Sequence, residues 1–304
     1  METRPRISIG LPVYNAERYL RHSVESMLGQ TFGDFELVIS DNASTDATWE
    51  ICSEYARMDD RVRLFRNQAN LGAAENFNRV FNLSRARFFK WIAYDDVCAP
   101  EFLERCLEVL ETRPDVALCY PKTLLIDENG MEIMKYEDRL HMPWERPHRR
   151  LKHFLTKVNL ANPVFGLIRA DVLRETRLLG KYFGADYVLL MELCLRGKFH
   201  EIPERLFFRR DHARNSRRLP RSEIAVWWDS SHRGVYRYIQ SRLVTEQFLA
   251  ITRTDLGWCE KGLCTAQIGR WIMRHLRAKG GRYKATLKQR ILFPGEQKDT
   301  VLRR

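Results

Sequence analysis

No stretch of this chain approaches the roughly 18 consecutive apolar residues that a membrane-spanning helix requires, and no apolar leader core stands between Met1 and Arg6. Those absences argue against a helical span and point to a cytoplasmic protein. Cys-x-x-Cys pairs are missing too. The seven cysteines, from Cys52 to Cys264, are odd in number and scattered, which argues against a disulfide framework or a zinc knuckle and for a reducing compartment. There is no internal repeat. A glycine-rich loop, the usual cradle for a phosphate chain, does not follow the first apolar segment, which ends in Pro12, Val13, Tyr14 and Asn15; this counts against nucleotidyl transfer. Acidic residues are absent from 270 to 290, where Arg270, Arg274, Arg277, Lys279, Arg282, Lys284, Lys288 and Arg290 accumulate.

What is present suits a folded chain. Hydrophobic residues at 44% and aromatics at 11% over 304 residues supply a sizeable core, and one α/β domain with a helical extension absorbs the length. The net charge of +12 favours an anionic partner, and charge alone does not choose among nucleic acid, phosphorylated substrate and anionic lipid.

Apolar runs at Arg6 to Val13, Phe35 to Ser40, Val62 to Phe65 and Phe88 to Ala93 alternate with helical patterns after Asn15, from Thr45 to Arg57 and from Leu71 to Leu83. Asn15 stands where the first of these helices would have its N-cap. Such alternation predicts a largely parallel sheet with helices on both faces, and ligands at the carboxyl ends of its strands. Further on we expect a helix from Glu101 to Glu111, a strand from Val116 to Ile126, and a hairpin turn at Asp127 to Gly130. An irregular loop over the site should follow from 131 to 150. Beyond it lie a strand at Val164 to Ile168, helices at Ala170 to Arg177 and Tyr187 to Leu195, and a closing strand at Phe207 to Arg209. From Ser222 the pattern is helical, so a boundary near 220 divides residues 1–220 from a basic helical extension, 221–304, whose tail frays beyond Pro294.

A parallel sheet would bring Asp41, Asp46, Asp95 and Asp96 together at its strand ends. Clustered carboxylates repel one another unless a cation sits among them, and magnesium or manganese commonly joins a carboxylate to nucleotide phosphates. Taken singly, each of these aspartates equally suits a helix cap or a turn.

In combination they form a more specific pattern. Leu11 to Asn15, then Gln30, Thr31, Phe35 and Glu36 with Ser40, Asp41, Asn42, Ser44, Thr45 and Asp46, then Asn70, Leu71, Gly72, Ala73 and Asn76, and finally Asp95, Asp96 and Pro100 fall in order. From about Ile7 to Ser216 the sequence resembles the family-two glycosyltransferases. The resemblance implies an α/β GT-A fold, the Rossmann-like mixed sheet of nucleotide-diphospho-sugar transferases, with a C-terminal helical extension. It also implies inverting transfer of a sugar to an acceptor hydroxyl, of hexosyltransferase type and dependent on Mn2+ or Mg2+. Many relatives carry a further aspartate where this chain has Ala93, so the resemblance assigns the metal to Asp96 and ribose or supporting contacts to Asp95.

By the same resemblance, Pro12, Tyr14, Asn15 and Asn70 line the donor site and Asp41 hydrogen-bonds the base; an imide N–H favours a UDP-sugar. Asp186, in FGADYVLLMELCLRG, takes the place of the general base, although an aspartate before a helix also suits an N-cap. His212, in RRDHARNS, falls in the segment that folds over the donor phosphates, together with Arg209 and Arg210. The implied partners are a nucleotide-sugar and a glycan or lipid-linked acceptor of polysaccharide or glycolipid assembly. The basic extension adds a peripheral contact with the anionic inner face of the cell membrane, and nucleic acid is disfavoured. The alternative reading is a basic membrane- or RNA-binding protein on a catalytically degenerate GT-A scaffold.

Overall fold

The computed structural model describes residues 4–231 and 239–292. Its centre is a nine-stranded mixed sheet in the order β3-β2-β1-β4-β8-β6-β9-β5, with β7 paired to β6. Strands β1 (Ile7–Val13), β2 (Phe35–Asp41), β3 (Val62–Arg66) and β4 (Phe88–Trp91) run parallel. Every residue of β1, β2 and β4 is buried, as strands covered by helices on both faces must be, which explains their unbroken apolar runs. Gly10 in β1 is a packing requirement. A Cβ there would lie 2.6 Å from Val80 Cγ2 and 2.7 Å from Phe89 Cζ.

The other half is mixed. β8 (Leu167–Arg169) is antiparallel to β4 and to β6 (Val116–Ile126), whereas β6 runs parallel to the 13-residue β9 (Lys198–Arg210). β5 (Val97–Cys98) closes the far edge against β9, and β7 (Glu132–Tyr136) extends β6 through the hairpin.

Helices α1 (Leu20–Leu28), α2 (Thr48–Met58) and α4 (Phe102–Thr112) cover one face and enclose Leu11, Val24, Ile39, Leu103 and Leu107. Against the other face lie α3 (Ala73–Asn82), α5 (Pro147–Lys157), α6 (Ala170–Arg174) and α7 (Ala185–Arg196), around Val80, Trp91, Leu118, Phe154 and Leu190. The helices that follow, α8 (Arg221–Trp228), α9 (Ile239–Arg253) and α10 (Trp258–Leu292), place Ile224, Trp228, Ile251 and Ile268 in this same core. Glu260 in the first turn of α10 accepts the backbone N–H of His148 at 2.8 Å and pairs with Arg146. A carboxylate thereby sits at the N-terminus of α5, where unsatisfied N–H groups and the helix dipole favour it.

Several expectations are corrected. Residues 131 to 150 are irregular only in part: β7 and the start of α5 take the two ends, and the stretch 137–146 between them carries an isolated bridge from Met142 to Phe199. The segment at Val164 is a 3-10 turn, Asn162–Phe165, leading into the short β8, and the closing strand is the long β9. Asn15 caps no helix; it takes φ +47° and its Oδ1 accepts the Thr45 N–H at 2.9 Å, while α1 begins after Tyr19. The tail beyond Pro294 lies outside the described residues. Among the described residues no helix is long and apolar enough to cross a membrane.

Because Ile268 is fully buried in the shared core, Ile268→Ala should lower the unfolding free energy of the whole chain by about 2–4 kcal/mol. Urea melts followed by tryptophan fluorescence and by far-UV circular dichroism check this. A loss confined to a separate minor transition would show that the C-terminal helices fold on their own.

Candidate active site

The carboxyl ends of the parallel strands open into a cleft of about 460 Å3, within the range of small-molecule sites. Pro12, Val13 and Tyr14 enter it from β1, Asn42 from the end of β2, and Asp95 and Asp96 from the turn after β4. Arg209 and Arg214 reach it from β9 and the segment beyond, and Glu223, Val226 and Trp227 of α8 line it from above.

One wall is held by asparagines. Asn42 Nδ2 donates to Asn70 Oδ1 at 2.9 Å, and Asn42 Oδ1 accepts from Asn67 Nδ2 at 2.8 Å and from the Leu71 N–H at 2.9 Å. Asn67 Nδ2 also donates to Asn76 Oδ1 at 3.1 Å, and Asn76 Nδ2 donates to the Ser40 carbonyl at 2.8 Å. The loops after β2 and β3 and the start of α3 are thereby locked into one neutral network. Gly72, at φ +82°, lets α8 close on this wall, since a Cβ there would meet the Trp228 carbonyl and the Ser230 nitrogen at 2.8 Å. Ser230 Oγ donates to the Asn70 carbonyl at 2.6 Å.

The opposite wall is ionic. Asp96, only 3% exposed, accepts the Arg210 N–H on Oδ1 at 2.9 Å. Arg210 Nε donates to the Asp95 carbonyl at 2.9 Å, and Asp95 Oδ2 lies 2.8 Å from His212 Nε2. The His212 ring packs 4.9 Å from that of Tyr19. Burial, with Asp95 beside it, pushes the Asp96 carboxyl up to about 7 against the opposing pull of Arg209. Beneath the site Lys90, buried on β4, donates to the Phe165 carbonyl at 2.5 Å and stands 3.9 Å over the Phe102 ring; burial lowers its pKa.

Asp186 lies in the first turn of α7, after Gly184 at φ +85°, rather than at the cap itself. Its Oδ1 accepts the Tyr187 N–H at 3.0 Å. Burial raises its pKa, and Arg209, which lines the cleft, pulls it back down. Arg209 makes no ion pair with either carboxylate; its guanidinium donates to the Leu160 carbonyl at 2.9 Å and to Asn162 Oδ1, and its charge acts on Asp96 and Asp186 from a distance.

The expected acidic cluster does not form in full. Asp41 is buried; it accepts the Ser44 N–H at 3.1 Å and faces Arg66 Nε at 3.1 Å. Asp46 Oδ1 accepts the Thr48 N–H at 3.0 Å at the start of α2. Neither lines the cleft: Asp41 Oδ1 is taken by Ser44, while Oδ2 is buried facing Arg66. Asn15, Asp186 and His212 are likewise outside the lining; Asn15 is exposed, and His212 reaches the cleft only through Asp95. Among the described residues no three His, Cys, Asp or Glu side chains converge to hold a metal. Asp95 and Asp96 form an open carboxylate pair that suits a cation whose remaining ligands come from phosphate and water. Sequence reasoning placed Arg209 in the donor-phosphate segment and missed Arg214, Asn42 and Trp227 as lining residues. The asparagine stood in plain view beside Asp41, and the tryptophan carried only the helical spacing of α8.

The family model for glycosyl transferase family 2 matches residues 8–177. The uncharacterised glycosyltransferase MJ1057 of Methanocaldococcus jannaschii is 27% identical over 176 residues, which cover 57% of this chain and 59% of that protein. The chain spans between 48% and 67% of the length of the first three curated relatives it matches. Among solved structures, S. aureus TarS 1-349 in complex with UDP-GlcNAc superposes with a TM-score of 0.66 at 16% identity, covering 94% of this chain and 77% of that one. The mannosyltransferase PcManGT of Pyrobaculum calidifontis, in complex with GDP-Man and Mn2+, gives a TM-score of 0.53 at 14% identity, covering 93% and 81%. The fold is GT-A.

The raised Asp96 acidity has a direct consequence. The folded chain keeps a proton that the unfolded chain releases near its ordinary 3.8, up to about 7. The stability this contributes is full below pH 4 and is lost as pH climbs toward 7. In chelator, Asp96→Asn should therefore gain on the wild type by about 2–4 kcal/mol between pH 4 and pH 8. Urea titrations across that range measure the gap; a gap independent of pH would mean that Asp96 is ionised throughout.

Proposed function

The chain belongs to glycosyl transferase family 2, and on that premise we propose that it transfers a sugar, with inversion, from a nucleoside diphosphate donor to an acceptor hydroxyl. The observation that carries the reading is the cleft itself. It sets the adjacent carboxylates Asp95 and Asp96, two arginines and a neutral asparagine wall at the ends of the parallel strands.

Pro12, Tyr14, Asn42 and Asn70 would receive the nucleoside, with Trp227 closing over it. A uridine donor is favoured, supported by the UDP-GlcNAc complex of TarS at the higher TM-score. Asp96 would hold the metal, with Asp95 beside it and His212 orienting Asp95. A manganese or magnesium ion bound there supplies Lewis-acid relief of the negative charge that grows on the departing diphosphate. Arg209 and Arg214 add fixed positive charge on the same side, at no reorganisation cost during reaction. Asp186 takes the proton of the acceptor hydroxyl as its oxygen attacks the anomeric carbon. A carboxylate made more basic by burial suits that task. The displacement needs no enzyme nucleophile.

Residues 1–220 would supply the reacting and phosphate-facing groups, while α8 adds Trp227 to the cleft and α9 and α10 complete the core. Arg270, Arg274 and Arg277 are exposed on α10 beside Met273 and Leu276, which supports a peripheral contact with an anionic membrane face where glycan or lipid-linked acceptors stand. Nucleic acid and a degenerate scaffold are disfavoured, since Asp95, Asp96 and Asp186 are all retained.

A panel of nucleotide sugars incubated with Mn2+, Mg2+ or chelator tests the reading. One donor should be consumed only with metal; Asp96→Ala should abolish this, and Asp186→Asn should cut transfer by about 10²–10⁴-fold while leaving donor affinity within twofold. An Asp186→Asn enzyme that transfers at the wild-type rate would remove Asp186 from the mechanism. Failure of every nucleotide sugar to bind would remove the function.

A further inference from the structure

A second cavity, of about 520 Å3, lies between the β7 exit, the end of α5 and Arg205 of β9, and the donor chemistry uses none of it. At its floor is Asp138, 2% exposed. Oδ2 of this carboxyl accepts from Asn162 Nδ2 at 3.1 Å, while Oδ1 is buried with no hydrogen-bond partner. A buried polar atom left unsatisfied demands an explanation, and a ligand hydroxyl is one. The next residue, Arg139, holds φ +56°, a left-handed conformation that costs a non-glycine residue energy and gathers at binding sites. The lining is predominantly cationic. Lys135, Arg139, Lys157 and Arg205 face Glu137 and Asp138, and Glu137 is already engaged by Lys122 at 2.8 Å and Arg205 at 3.3 Å. Tyr136 adds an aromatic wall, and Thr156 and Asn159 add polar groups.

Two links join this cavity to the reacting centre. Asn162, which holds Asp138, also accepts from Arg209 of the donor cleft. Tyr187, the neighbour of Asp186, donates its hydroxyl to the Asn159 carbonyl on the cavity rim. The cavity is therefore fastened to the base on one side and to the donor cation on the other.

We propose that this cavity is an acceptor subsite for an acidic saccharide unit, one bearing a carboxylate or a phosphate, with Lys135, Arg139 and Lys157 meeting its charge and Tyr136 and Asp138 its ring and hydroxyls. The proposal rests on the transferase reading, which supplies the acceptor.

Isothermal titration calorimetry on the full chain in 150 mM salt (about an 8 Å screening length) tests it with four probes: tetragalacturonate, 6-phosphorylated maltotetraose, neutral maltotetraose and inorganic tripolyphosphate. At least one charged saccharide should bind ten or more times tighter than maltotetraose and than tripolyphosphate, and whichever does so names the anion. The double reversal Lys135→Glu with Lys157→Glu should weaken that binding at least tenfold and leave the Kd for uridine diphosphate unchanged. The same two-charge reversal at Arg57 and Arg87, outside the cavity, should have no such effect. Equal binding of charged and neutral saccharides, tripolyphosphate binding as tightly, no saccharide binding at all, or equal losses from both double reversals would each overturn the subsite. If uridine diphosphate itself fails to bind the wild type, the transferase reading fails first, and the two failures are told apart.

Discussion

The structure turns on a charge problem at the end of β4. Asp95 and Asp96 are adjacent carboxylates, and Asp96 is almost fully withdrawn from water, where two like charges cannot both persist without counter-charge. The surrounding elements are arranged to supply it. β9 is 13 residues long, enough to carry Arg209 and Arg210 to the turn. Arg210 then binds both the Asp95 carbonyl and the Asp127 and Glu128 carbonyls of the hairpin, so the hairpin, the turn and the last strand form one unit. Lys90 lies buried below. What these groups leave uncompensated is what a cation and a diphosphate would complete.

The parallel half of the fold is legible in the sequence because burial on both faces writes itself as continuous apolar runs, and β1 to β4 fall within a few residues of where those runs lie. α5 is not legible, for a reason visible in Arg150. Its side chain is buried and donates to the Cys194 and Leu195 carbonyls at the end of α7, satisfying groups that a helix terminus leaves open. A segment reading PHRRLKHFLTK looks like surface when its arginine is in fact interior. The length of β9 is hidden likewise, because its polar residues bond to partners far away in the chain.

In the site, Asp95, Asp96, Tyr14 and Asn70 stand where the sequence motifs suggest, since strand ends are fixed by topology. Asp41 shows the limit of that logic. Spacing places it at the right strand end, yet Ser44 three residues on and Arg66 on the neighbouring strand turn it inward, and Asn42, itself buried, lines the cleft instead. Whether a side chain at a strand end faces ligand or loop is decided by local hydrogen bonds that no spacing rule contains. Trp227 comes to the cleft only because Gly72 allows α8 to sit against the asparagine wall.

The bond from Arg210 to Asp96 spans 114 positions of the chain. A ribosome that has extruded β1 to β4 has made the neutral wall of the cleft, but the ionic wall waits until β9 emerges. Fragments ending before that strand would keep the residues of the charged turn while lacking Arg210, which orients it, so the two walls cannot be assembled together until β9 has been made.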